Sequence, residues 1–149
     1  MLDFIKRRIR ALIILTINIF LCGTHLFELK RRLLNLCHGI RIEQGSKVVG
    51  PIYMGQCSEV LIGKNVWVGR NLKIYGDGKV AIESNCDLAP DVMFITGSHE
   101  IGTSDRRAGK GLLFKIKVGE GCWLGARTMI VGNINIGAAS IVAAGSVVT

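Results

Sequence analysis

No C-x-x-C pair occurs among the five cysteines, and their odd number leaves one unpaired in any disulfide scheme. Cys22, Cys37, Cys57, Cys86 and Cys122 therefore read as small hydrophobes in a reducing compartment. Histidine is equally scarce. Of the three, only His99 lies beyond residue 40, which leaves too few for a histidine-built metal site. No G-x-x-x-x-G-K-[ST] loop and no Ser/His/Asp nucleophile motif is present, so neither P-loop phosphate chemistry nor an acyl-serine intermediate is expected. No apolar run reaches the about 20 residues that a spanning helix needs. The stretch from Ala11 to Phe27 is shorter and is broken by Thr16, Asn18, Gly23, Thr24 and His25, with no small-x-small cleavage site after it. Acidic residues are rare at the start of the chain. Residues 1–41 carry eight basic side chains against Asp3 and Glu28, so +6 of the net +8 lies there. The remaining +2 argues against a nucleic-acid groove in the rest of the chain, and the basic segment suits an anionic membrane surface or a solvated helix face.

What is there is a period of six. From Val118 onward the chain reads VGEGCW, LGARTM, IVGNIN, IGAASI, VAAGSV. An aliphatic residue opens each unit (Val118, Leu124, Ile130, Ile136, Val142, Val148), and a small residue usually follows. Upstream, Ile62, Val68 and Ile74 keep the spacing, as do Ile82, Leu88 and Phe94 after a two-residue slip at Gly76-Asp77-Gly78, and Ile42 and Val48 start a less regular set. Six fits neither the helical period nor strand alternation. It fits a chain that turns a corner every six residues and closes three sides per coil. The fifth residue of each unit (Val66, Cys86, Cys122, Ser140 among them) is mostly small or β-branched, as a site facing into a narrow prism requires. Each coil must stack on its neighbours to bury its apolar edge. About five coils at about 4.8 Å per strand make a prism roughly 25 Å tall.

The pattern resembles the hexapeptide-repeat acyltransferases, which fold as left-handed parallel β-helices. The resemblance covers residues 40–149 and rests on Gly97-Ser98-His99-Glu100, Cys122-Trp123-Leu124-Gly125-Ala126 and Ala143-Ala144-Gly145-Ser146-Val147-Val148-Thr149. These are similar to signatures of the maltose, galactoside and polysaccharide O-acetyltransferase branch. Members of that branch usually continue past this Val-Val-Thr with a basic, proline-containing tail, whereas this sequence stops at Thr149. The expected organisation is a helical segment over residues 1–39 and a β-helix over 40–149, with an extruded loop at 97–115. Two helices are expected, about 3–21 and 25–37, broken at Gly23. They would cap the open end of the solenoid, stand as a foot on the inner membrane leaflet, or do both.

The resemblance implies an acetyl-CoA-dependent O-acetyltransferase with His99 as general base, because a histidine titrates near neutral pH and can take a hydroxyl proton. Glu100, Asn85, Asp87 and Asp91 are candidates to orient the base or hold the acceptor. Trp123, Gly125, Ala126, Ala144 and Thr149 match the family's coenzyme-binding positions. Arg106, Arg107, Lys110 and Lys115 read as solvated loop cations or as partners of phosphate. Transfer is expected to be direct, to a hydroxyl of a sugar or surface-polysaccharide precursor, with no metal and no nucleic acid. The expected assembly is a homotrimer, and the expected location is the cytoplasm, peripheral to the inner membrane where the foot touches it. Serine or antibiotic acetylation is the runner-up, and a catalytically silent scaffold is the reading from another class. The single histidine of the repeat domain sets it apart from the γ-type carbonic anhydrases, which share the fold and need several.

Overall fold

The computed structural model describes residues 2–149. Two helices, α1 (Leu2–Phe20) and α2 (Phe27–Asn35), precede five coils of three short strands each. The first coil holds β1 (Ile40–Ile42), β2 (Lys47–Val48) and β3 (Ile52–Met54), and the second β4 (Glu59–Ile62), β5 (Trp67–Val68) and β6 (Leu72–Tyr75). The third holds β7 (Lys79–Ile82), β8 (Asp87–Leu88) and β9 (Met93–Ile95). A hairpin follows, β10 (Gly97–Ile101) and β11 (Ala108–Leu113). The last two coils are β12 (Lys115–Val118), β13 (Trp123–Leu124), β14 (Met129–Val131) and β15 (Ile134–Ile136), β16 (Ile141–Val142), β17 (Val147–Val148). Three five-stranded parallel sheets result: β1-β4-β7-β12-β15, β2-β5-β8-β13-β16 and β3-β6-β9-β14-β17.

The period of six has a direct structural cause. Its aliphatic residues fall into three inward columns, one per sheet: Ile42, Ile62, Ile82, Val118 and Ile136; Val48, Val68, Leu88, Leu124 and Val142; Ile74, Phe94, Ile130 and Val148 above Met54. Most are fully buried. Cys86 and Cys122 occupy the small inward site of one corner, where their thiols donate to the carbonyls of Gly119 and Gly137 one coil above. The corner before them needs a left-handed residue, and Gly45, Asn65, Asn85, Gly121 and Ala139 all have positive φ there. Asn71, Asp91, Arg127 and Gly145 do the same at the next corner.

The coils are not uniform. Ile42, Ile62 and Ile82 stand 20 residues apart, while Val118 and Ile136 stand 18 apart. The extra residues lie at the corner between the third sheet and the first, at 55–58 and 76–78, against 132–133 higher up. The hairpin leaves from this same corner. Within the span expected as an extruded loop, 97–113 form an antiparallel hairpin that leaves the stack, and Lys115 already belongs to β12. Gly109 and Gly102 allow the close approach of its arms, since a Cβ on Gly109 would meet the Glu100 carbonyl at 2.9 Å.

The helices dock on the first coil. Its lower strands lack a coil beneath them, and two asparagines take its place. Asn18 of α1 both donates to the Ile52 carbonyl (2.8 Å) and accepts from the Ile52 N–H (2.9 Å). Asn35 of α2 does the same at Ile42 (2.9 and 2.7 Å). Each side-chain amide mimics one peptide unit of a neighbouring strand. Arg10 is buried and donates to the Ser58 carbonyl (2.8 Å) and hydroxyl (2.7 Å). Lys30, also buried, donates to the Gly23 carbonyl (2.7 Å) beneath the Phe27 ring, and burial lowers its pKa. The Arg31 and Arg32 guanidinium groups hold the Glu28 carboxyl at a pKa of about 2. No helix among the described residues is long and apolar enough to cross a membrane.

Replacing Asn18 with Ala should leave two buried polar groups of Ile52 without partners. The expected loss is about 2 kcal/mol in chemical denaturation. A loss below about 0.5 kcal/mol would mean that water substitutes for the amide.

Candidate active site

The hairpin base is fastened to the corner beneath it. Thr96 is buried, its hydroxyl donates to the Tyr75 carbonyl (3.0 Å) and accepts from the Gly78 N–H (3.1 Å). Gly76, at φ +92°, lies so close that a Cβ on it would meet the Gly97 nitrogen at 2.6 Å. His99 is two residues farther on, on β10, opposite Gly111. Its imidazole is exposed and makes no hydrogen bond within the described chain. A β-bulge separates it from Ile101, and Glu100 sits on that bulge with its side chain in solvent. The result is a histidine held on a strand, with its base pinned, facing open space. Such a group can take a proton from a hydroxyl brought to it.

The other site candidates lie on different edges of the prism. Asn85 is at the corner between the first and second sheets, in the left-handed conformation, donating to the Glu120 carboxylate at 2.9 Å. Asp87 projects from the second sheet between Trp67 and Trp123, its neighbours in the ladder. One chain therefore does not bring Asn85 or Asp87 to His99. Asp91 holds a hydrogen bond from Asn71 (3.1 Å) at the second corner. Trp123 is half exposed on the outside of β13, beside Ile141. Gly125 and Ala126 form the second corner of the fourth coil, with Ala144 directly above, where a Cβ on Gly125 would meet the Ala144 nitrogen at 2.5 Å. Gly125 donates to Val142 (2.8 Å) and Ala126 accepts from Gly145 (2.8 Å), so these groups serve the stack itself. Thr149 follows β17 on the edge that leads to the hairpin's corner. Arg106 and Arg107 lie in the exposed hairpin tip, with Lys110 and Lys115 exposed on β11 and β12. No group of three or more His, Cys, Asp or Glu able to hold a metal occurs among the described residues.

Two side chains at the foot of the hairpin escaped the sequence reading. Tyr75 and Asp77 belong to the corner on which the hairpin stands, both exposed, and Asp77 accepts from the Cys57 N–H at 2.9 Å. The signal was the two-residue slip at Gly76-Asp77-Gly78, which marks the widened corner directly under the insertion.

No family model matches the chain. Individual proteins do. The galactoside O-acetyltransferase of Escherichia coli is 32% identical over 108 residues, a match spanning 72% of this chain and 53% of that one. A hexapeptide-repeat-containing acetyltransferase from Vibrio cholerae superposes with a TM-score of 0.83 at 24% identity, covering 100% of this chain and 82% of that one. The chain's sequence relatives are acetyltransferases, and its fold is that of the hexapeptide-repeat acetyltransferases. A galactoside acetyltransferase solved in complex with coenzyme A superposes with a TM-score of 0.78 at 24% identity, over 96% of this chain and 70% of that one. The chain spans about half the length of the curated relatives it matches.

Two glycines separate the role of the hairpin's anchor from that of the hairpin's arm. Gly76→Ala adds a Cβ at positive φ against the Gly97 backbone, whereas a Cβ on Gly111 meets nothing within 4 Å. Gly76→Ala should therefore cost about 1–3 kcal/mol and speed hydrogen exchange at the hairpin amides. Gly111→Ala should leave both unchanged. Equal behaviour of the two variants would show that the anchor is not stiff.

Proposed function

We propose that this chain is an O-acetyltransferase that uses acetyl-CoA and transfers the acetyl group to a hydroxyl of a sugar or of a surface-polysaccharide precursor. The observation that carries this reading is His99, exposed on a hairpin anchored to a solenoid whose sequence matches a galactoside O-acetyltransferase. His99 takes the acceptor hydroxyl proton as the oxygen attacks the thioester carbonyl carbon. The C–S bond then breaks, and the proton passes to the leaving thiolate, so the products are the acetyl ester and free coenzyme thiol. No acyl-accepting nucleophile is needed, and the transfer is direct.

The separation of candidates supports a trimer. His99 and Glu100 leave from one edge, Asn85 and Asp87 stand at or beside a second, and Gly125, Ala126 and Ala144 lie on a third. Three prisms packed side by side around a cyclic axis bring the edge of one chain against that of the next. The pantetheine arm would then run along that groove, with Trp123 and Thr149 at its walls. Asp77 and Tyr75, under the hairpin, are suited to hold acceptor hydroxyls. Contact of residues 1–37 with a membrane would put lipid-linked sugar precursors within reach.

Two measurements test the reading. With acetyl-CoA and a panel of hexoses, wild-type protein should release free thiol, and His99→Ala should lower turnover by about 10²-fold or more. Acetyl-CoA binding should persist in that variant. His38→Ala should turn over as wild type, since His38 lies outside the hairpin and engages Arg10 through its backbone carbonyl. Undiminished turnover in His99→Ala would refute the mechanism. Sedimentation equilibrium should give three times the 16.2 kDa chain mass; an active monomer would refute the shared site.

A further inference from the structure

The two sides of α1 have opposite chemistry and separate partners. Arg10, Ile17 and, in part, Ile13 and Asn18 face the first coil. On the other side Phe4, Arg8, Leu12, Leu15 and Ile19 follow one another at spacings of four, four, three and four, which places them in one line along the helix. All five are exposed, the apolar four each by more than half. Ile5, Ile9 and Phe20 widen the stripe. A row of large apolar side chains along a helix about 28 Å long is not an incidental exposure.

Charge decides what covers it. Of the cations in residues 1–41, Arg10 and Lys30 are buried in the cap, Arg31 and Arg32 are held by Glu28, and Lys6 is paired with Asp3 at 3.8 Å. Arg41 belongs to β1. Arg7 and Arg8 remain, both exposed on α1 beside or within the stripe, and Arg8 lies over the Phe4 ring at 4.9 Å. In a protein interface Arg8 would be desolvated and would need a carboxylate facing it. The same helix of a second copy offers Arg8 no free carboxylate, because its only acidic residue, Asp3, is paired with Lys6. At a bilayer boundary its stem lies among acyl chains while the guanidinium reaches a lipid phosphate.

We propose that the outer face of α1 lies flat on an anionic lipid surface, with Phe4, Leu12, Leu15 and Ile19 at the acyl boundary and Arg7 and Arg8 on lipid phosphates. The inner side stays fastened. The bonds of Arg10 to Ser58 and of Asn18 to Ile52 tie α1 along the end of the solenoid, so it docks as a flat foot and not as a span. The attraction is mainly apolar, with two cations engaged and not the eight that the sequence count offers. The inference concerns a surface apart from His99 and stands or falls independently of the transferase reading.

The test is flotation of the full chain with vesicles of phosphatidylcholine, alone or with an equal part of phosphatidylglycerol. Wild type should bind the anionic vesicles roughly 30-fold more tightly than the neutral ones, the difference two cations make. Arg7→Gln with Arg8→Gln should remove that difference while leaving weak binding to both. Leu12→Glu with Ile19→Glu should abolish flotation and keep the wild-type circular dichroism and sedimentation mass, because both positions are exposed. Absence of wild-type flotation overturns the proposal. So does a fall in sedimentation mass in the Leu12→Glu, Ile19→Glu variant, which would assign the face to a second copy of the chain.

Discussion

The hydrogen bonds of this molecule run along the prism, from each coil to the next, and no coil can satisfy its own backbone. Trp67 donates to Cys86, Asp87 to Cys122 and Trp123 to Ser140, and the same step recurs on the other two sheets. Everything else answers to that constraint. Corners must superpose, which requires positive φ at matched positions. Side chains at the corners must be small enough for the next coil to sit at strand spacing. An insertion is tolerated only where it leaves the stack outward, as the hairpin does between β9 and β12.

The same constraint explains what could be read in advance. A column of aliphatic residues that must face inward every six positions writes its period into the chain, so the solenoid, its five coils and the site of the insertion were legible from Ile42 to Val148. The ends were not. Asn18 and Asn35 look like polar interruptions of apolar helices, and nothing in their spacing tells that each brackets a strand residue. Arg10 and Lys30 enter a charge count as surface cations, yet the fold buries both. Their partners are backbone carbonyls and a serine, groups that any sequence offers in abundance.

Site residues divide in the same way. The candidate base His99 stands out through the resemblance carried by Gly97-Ser98-His99-Glu100, since a lone histidine in an insertion would otherwise read as an idle exposed side chain. Asn85 shows the opposite case. The corner requires a residue that tolerates left-handed backbone, Asn65 fills the equivalent place one coil below, and Glu120 takes up the side-chain amide from above. The fold thus has its own sufficient reason for an asparagine there. Asp77 was hidden in an irregularity of the repeat, and only the contact of Gly76 with Gly97 shows that the widened corner is the seat of the hairpin.

The two bracketing asparagines have a consequence beyond stability. A stack of parallel strands is in principle a template for unlimited growth, because its terminal edge presents the same donors and acceptors as every interior one. At the helical end both β1 and β3 meet a side-chain amide carried by a helix, which fills the donor and acceptor of the edge residue and offers no backbone of its own to continue the ladder. Continuation of β1 and β3 through that end is opposed by two side chains, and the protein keeps a fibre-like interior above a closed base.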